Sequence, residues 1–190
     1  MNEFQKQVPL FDSDDSESQP CGIIYSKEFI LNPGKWFNHL QTHTAWNHQY
    51  QSRKTATFGV TYNYKKGTLK RRPMPEFLQK LCRKIESEFN YLPNNCLINY
   101  YPSGDHYISF HSDQDMDMKA QSGVTIVSLG AIRNMVLREI KQSHNKHYYP
   151  LQPGSAFFMP DQLQKEWQHG VLKEAGAGPR ISLSFRALKE

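Results

Sequence analysis

Residues 180–186 read Arg180-Ile181-Ser182-Leu183-Ser184-Phe185-Arg186. Polar and apolar side chains exchange at every step, which is the period of a half-buried β-strand. Side chains two apart share a face, so Arg180, Ser182, Ser184 and Arg186 point one way and Ile181, Leu183 and Phe185 the other, into a core. Two guanidinium groups on an otherwise small, polar face are costly to bury without an anion. An inward face would therefore hold an anion, whereas an outward one would only carry two surface arginines; the stretch alone leaves both open.

The same period recurs upstream. In 95–101, Leu97, Asn99 and Tyr101 share a face, and after the Pro102-Ser103-Gly104 turn, Tyr107, Ser109 and His111 point together, opposite Ile108 and Phe110. Strand-like segments cover 95–101, 106–111, 123–129, 131–140, 147–152, 155–159, 167–172 and 179–187, separated by Gly and Pro turns, the spacing of a sandwich or jelly roll. Ahead of them, Asn32 is an N-cap candidate followed by Pro33, which starts a short helix. Phe77, Leu81, Ile85 and Phe89 recur every four residues, with Leu78 broadening the stripe, and predict a second helix packed on a sheet. Thr55–Tyr64 alternates as a strand leading into a Lys-Lys-Gly turn. The fold class is α+β, mainly β: two N-terminal helices and a basic, strand-containing lid on a double-stranded β-helix, or jelly roll.

Within this frame His111, Asp113 and His169 occur in the order H-x-D then a distant His. Two histidines and one carboxylate are the ligands of a facial triad that holds Fe(II) and leaves coordination positions open. With eight histidines in the chain, chance H-x-D pairs number roughly a third of one, so the order and the strand geometry carry the signal. Two arginines downstream suit a doubly charged organic acid, and the combination points to an oxygenase. A zinc hydrolase could use the same three ligands but leaves the arginines unexplained.

The chain has 190 residues and a net charge of +5, enough for one domain with a substantial core. Residues 1–20 hold five acidic side chains against one lysine and read as a disordered tail. The 22 basic and 13 acidic residues that remain give residues 21–190 a charge of +9. No 18-residue apolar run and no signal-peptide core occur, so a soluble intracellular protein, in cytoplasm or nucleus and without a membrane partner, is expected, as a monomer. Cys21, Cys82 and Cys96 lack C-x-x-C spacing and read as reduced buried thiols.

The basic excess concentrates in residues 53–72: Arg53, Lys54, Lys65, Lys66, Lys70, Arg71 and Arg72, with no acid among them and with Tyr62 and Tyr64 interleaved. Lysine and arginine grip phosphates and aromatic rings stack on bases, so this segment favours nucleic acid over a plain solvated loop.

These residues together resemble the AlkB family of Fe(II)- and 2-oxoglutarate-dependent dioxygenases, which oxidatively dealkylate nucleobases. The matching elements are Arg53-Lys54-Thr55-Ala56-Thr57-Phe58-Gly59, Thr61-Tyr62-Asn63-Tyr64, Asn99-Tyr100-Tyr101, His111-Ser112-Asp113, Trp167-Gln168-His169-Gly170 and Arg180–Arg186. Coverage runs from about residue 20 to the C-terminus. The nucleic-acid dealkylating subgroup is the nearest in pattern.

The resemblance implies a dioxygenase domain over 21–190, with a lid at 53–72 and a β-helix core at 95–187. It implies Fe(II) on His111, Asp113 and His169, and 2-oxoglutarate with O2 as co-substrates. Arg180 and Tyr101 would hold the distal carboxylate; Asn99 and Arg186 would contact the metal-chelating end. Tyr64 and Tyr62 would stack on an extruded base against His111, and Asp115 would face its exocyclic amine, with Arg53 and Lys54 on the nucleic acid. Ser182 stands where the family often has Asn, and its shorter side chain implies one weakened co-substrate hydrogen bond, with the ion pairs kept, and somewhat looser 2-oxoglutarate binding.

The implied reaction is oxidative demethylation of 1-methyladenine or 3-methylcytosine in DNA or RNA, releasing formaldehyde and succinate. Both lesions weaken pairing and so lower the cost of base extrusion. The competing readings are a hydroxylase or demethylase of a protein or lipid substrate, and a non-catalytic nucleic-acid-binding jelly roll. For a duplex-piercing wedge, Trp46 or Tyr50 in Ala45–Tyr50 is the place to look.

Overall fold

The alternating segments pair into two antiparallel sheets. The computed structural model describes residues 18–60, 72–113 and 117–189. Its elements run β1 (Ile24–Ser26), α1 (Pro33–His43), β2 (Lys54–Gly59), α2 (Glu76–Phe89), β3 (Asn95–Tyr101), β4 (Ile108–His111), β5 (Gly123–Gly130), β6 (Arg133–Glu139), β7 (Lys146–Leu151), β8 (Ala156–Pro160), β9 (Trp167–Val171) and β10 (Arg180–Arg186), with a 3-10 turn at Asp161–Lys165. Six strands order as β1-β8-β5-β10-β3-β2 and four as β4-β9-β6-β7. This mainly-β arrangement, two sheets and two helices, is consistent with a double-stranded β-helix. All eight segments expected from residue 95 onward form strands, each within two residues of its sequence bounds. The three-residue β1 is too short for periodicity to reveal.

The alternation of β10 divides two cores. All seven of its residues are buried. Ile181, Leu183 and Phe185 join the apolar layer under the helices, with Leu78, Leu81, Ile85 and Phe89 of α2. Each such side chain removed from water stabilises the fold by about 1.5–3 kcal/mol. Phe89 also stacks between Phe29 and Phe158, at centroid distances of 6.0 and 5.2 Å. The stripe therefore packs on a sheet as its period required, except that Phe77 is only partly buried, edge-on to Trp36. A second apolar cluster, with Ile126, Leu137, Phe157 and Trp167, lies between the sheets. The polar face of β10 shares that space.

Some local expectations are corrected. Asn32 does not cap α1 through its side chain; it sits in the left-handed region at φ 54 with no capping hydrogen bond, a conformation asparagine tolerates better than most residues. Pro33 then supplies the helical φ, and the helix runs on to His43. Cys82 and Cys96 are buried free thiols, but Cys21 is exposed. No described helix is long and apolar enough to cross a membrane.

Candidate active site

Strict alternation would put His111 on the face opposite Ile108, and that expectation is corrected by a bulge. Ile108 pairs with Val171 and His111 with His169, so three steps along β4 oppose two along β9. An extra residue in one strand turns the following side chain to the other face. His111 thus joins Ile108 on the inner side, where its ring lies 4.3 Å from that of His169. Asp113 follows just beyond the strand. Ligand atoms of His111, Asp113 and His169 all lie within 4.8 Å of one another.

Hydrogen bonding prepares two of the three. His111 Nδ1 lies 2.8 Å from the Ser109 carbonyl; a carbonyl only accepts, so Nδ1 carries the proton and Nε2 is left as a lone-pair donor. The Asp113 backbone N–H donates to Gln164 Oε1 at 3.1 Å. Arg186 donates from both Nε and Nη2 to Asp113 Oδ2, each at 2.7 Å. Asp113 Oδ1 is buried with no hydrogen-bond partner, 3.9 Å from His111 Nε2. An unpaired buried acceptor costs about 1–3 kcal/mol, and a cation shared with two imidazoles satisfies it. The donor set therefore fits a divalent metal.

Electrostatics keeps each group in its ligating state. Burial pushes His169 down to about 3, with His111 adding to the effect and Asp113 opposing it. Burial likewise lowers His111 against the pull of Asp113. For Asp113, burial alone would raise the pKa, but Arg186, His169 and His111 outweigh it and hold the carboxyl below its usual value. Neutral imidazoles beside an ionised carboxylate are what a metal requires.

At the other end of β10 from Arg186, Arg180 is fully buried. Its Nε donates to Ser128 Oγ at 3.0 Å, and its Cζ lies 5.5 Å from the Tyr101 ring centroid. Nη1 and Nη2 make no regular hydrogen bond, with the Tyr101 side chain interacting with the group, so the planar fork keeps the form that binds a carboxylate bidentately. Asn99 and Ser182 pair directly across β3 and β10, and Ser128 completes the row on β5. All three are buried.

The lid residues divide. Arg53 reaches inward and donates from Nε to Asn99 Oδ1 at 2.9 Å, while its guanidinium stacks 4.6 Å from the Tyr50 ring. Lys54 pairs with Tyr100 and lies over that ring, on the sheet face away from the triad; the structure does not bring it to the site. Trp46 is not a free wedge: it packs on Tyr100 at 5.2 Å and its Nε1 donates to the Gln41 carbonyl. Tyr50 is 39 % exposed. Tyr62, Tyr64 and Asp115 lie outside the described residues. A cavity of about 440 Å³ lies elsewhere, between α2 and the end of β2, and none of the triad lines it.

Gln164 and Ser128 escaped the sequence reading. Neither belongs to a motif; Ser128 could have been found only from the register that sets it opposite Ser182. Gln164 fixes the backbone of a metal ligand, and loss of such partners commonly costs 10–100-fold in metal affinity. Gln164→Leu is accordingly expected to weaken Mn(II) binding about ten-fold, measured by calorimetric titration; unchanged affinity would rule the role out.

The family model described as the 2OG-Fe(II) oxygenase superfamily matches residues 30–186. The chain is 29% identical over 148 residues to "DNA oxidative demethylase ALKBH2" of Bos taurus, covering 72% of this chain and 53% of that protein. It is also 29% identical over 151 residues to "Alpha-ketoglutarate-dependent dioxygenase alkB homolog 3" of Mus musculus, covering 73% and 52%. The chain thus spans about half the length of these curated relatives. Among solved structures, "The structure of OsALKBH1" superposes with a TM-score of 0.68 at 17% identity, covering 90% of this chain and 99% of that one, a likeness of fold. The cofactors that follow from family and triad are Fe(II) and 2-oxoglutarate. With its inward arginines and its H-x-D and distal His ligands, the chain belongs to the 2OG-Fe(II) oxygenase superfamily and is related to the AlkB homologues.

Proposed function

We propose that this chain removes N-methyl groups from 1-methyladenine and 3-methylcytosine in nucleic acid, through a single catalytic domain over residues 21–190. The observation that carries the reading is its similarity to relatives named as a DNA oxidative demethylase and an alkB homolog. The basic, tyrosine-bearing segment 53–72 supports it further. Binding of Fe(II), 2-oxoglutarate and O2 supplies hydroxylation of the N-methyl carbon, after which formaldehyde leaves and the base is restored.

The chain's own groups do the positioning. His111, Asp113 and His169 hold the metal. Arg180 and Tyr101 take the distal carboxylate of the diacid, while Asn99, Ser182 and Arg186 border its chelating end. Arg186 also grips Asp113 and orients that ligand. Arg53, bridging Asn99 and Tyr50, forms the wall between the co-substrate and the mouth through which a base would enter. Tyr62, Tyr64 and Asp115 are the proposed base-contacting residues.

The experiment is a demethylation panel: both lesions in single- and double-stranded DNA and RNA, with Fe(II), ascorbate and 2-oxoglutarate. Formaldehyde release with restoration of the base is expected, together with oligonucleotide affinity that falls steeply with salt. Silence on every nucleic acid, alongside 2-oxoglutarate turnover driven by a protein or lipid, would sink the proposal.

A further inference from the structure

Arg133, at the start of β6, is 1% exposed and belongs to no motif of the family pattern used above. Its guanidinium donates to the Ser103, His106 and Leu172 carbonyls and sits 3.4 Å from Glu174, whose side chain is 47% exposed. Those partners come from two loops. Residues 102–107 join the strand of Asn99 and Tyr101 to that of His111; residues 172–179 join the strand of His169 to that of Arg180. The loops are also knit directly, by the Glu174 N–H donating to the Gly104 carbonyl at 2.9 Å. Their approach leaves no room for a side chain at 104, where a Cβ would fall 1.7 Å from the Glu174 oxygen.

Both ends of this clamp meet at one register position, where Arg180 pairs with Tyr101 on one side and with Gly130 on the other, three residues before Arg133. Arg180 is pushed down to about 10 by burial, and the charge of Arg133 contributes to that lowering. Two buried guanidinium groups thus lie near enough to repel each other, and Arg133 faces the half-exposed carboxylate of Glu174. Such a surplus of positive charge in a dry site favours an incoming dianion.

We propose that Arg133 is a positioning residue for 2-oxoglutarate: by clamping both loops it fixes Arg180 and Tyr101, and its charge strengthens their hold on the distal carboxylate. The inference rests on Arg180 as the carboxylate anchor, so the test includes that residue. Calorimetric titration of 2-oxoglutarate into Mn(II)-loaded protein is the readout, with Mn(II) affinity measured separately.

Arg133→Met is expected to weaken 2-oxoglutarate binding at least ten-fold while Mn(II) affinity changes less than two-fold, and Arg133→Lys to recover part of the loss. Glu174→Gln, which keeps the loop backbone and removes only the opposing charge, is expected to tighten 2-oxoglutarate binding two- to three-fold. It decides the matter should Arg133→Met fail to fold. Equal losses of metal and 2-oxoglutarate in Arg133→Met, or weaker binding in Glu174→Gln, overturn the proposal. If Arg180→Met binds 2-oxoglutarate like the wild type, the anchor assignment falls and the inference with it. If Arg180→Met loses binding but Arg133→Met does not, the inference alone falls.

Discussion

Asp113→Ala is expected to abolish metal binding and turnover together and also to destabilise the metal-free fold by about 3 kcal/mol or more. The two effects have different origins. Asp113 is 1% exposed, and its Oδ1 has no partner within the protein; removing it deletes the charged member of a three-ligand set. Its Oδ2 receives both Nε and Nη2 of Arg186 at 2.7 Å, and Arg186 is itself 2% exposed. Breaking a buried pair from one side leaves a cation without its carboxylate in a poorly solvating interior, which costs about 3–5 kcal/mol.

For a chain of this size each kcal/mol corresponds to roughly 2–4 °C in Tm, so thermal denaturation of the metal-free protein should show a fall well outside error. Replacing both partners by apolar groups, as in Asp113→Leu with Arg186→Met, is expected to recover most of the stability and none of the metal content. A metal-free Tm unchanged by Asp113→Ala, or a variant that retains stoichiometric metal, contradicts this account.

How far these features could be read beforehand depended on whether the signal was local. The period of two in 180–186 placed Arg180 and Arg186 on one face, and both are buried on the inner side of the larger sheet. The stripe at Phe77 to Phe89 likewise predicted a helix against a sheet. Alternation failed at His111, because a bulge is set by how two strands pair and not by the residues of one strand. It also could not reveal that Lys54, at the start of β2, lies over Tyr100, while Arg53 just before the strand reaches Asn99 on the other side. Composition grouped them as one basic run, whereas their contacts separate them. Gln164 and Arg133 were invisible for a related reason: their partners are backbone groups brought close only by tertiary packing.

Arg180→Met is expected to weaken 2-oxoglutarate binding about a hundred-fold or more while leaving the metal-free protein as stable as the wild type or more so. Arg180 is fully buried, and burial lowers its pKa to about 10 against the pull of Tyr101. Nε is satisfied by Ser128, but Nη1 and Nη2 make no regular hydrogen bond and have only the Tyr101 side chain to interact with. In the free protein this guanidinium is a net cost, since a buried charge and donors without regular hydrogen bonds are both unfavourable. Methionine keeps much of the stem's packing and removes that cost.

In the proposed complex the balance would reverse, because a carboxylate on the same fork would convert the penalty into charge-assisted bonds. Truncating one partner of such a pair commonly loses 2–5 kcal/mol, roughly 30-fold to several thousand-fold in affinity at 1.4 kcal/mol per decade. Opposite signs for stability and binding mark a group retained for its ligand and not for the fold. Parallel losses of Tm and affinity would instead make Arg180 a structural cation. Arg180→Lys should fall between the two, since an ammonium keeps the charge but not the two-pronged geometry.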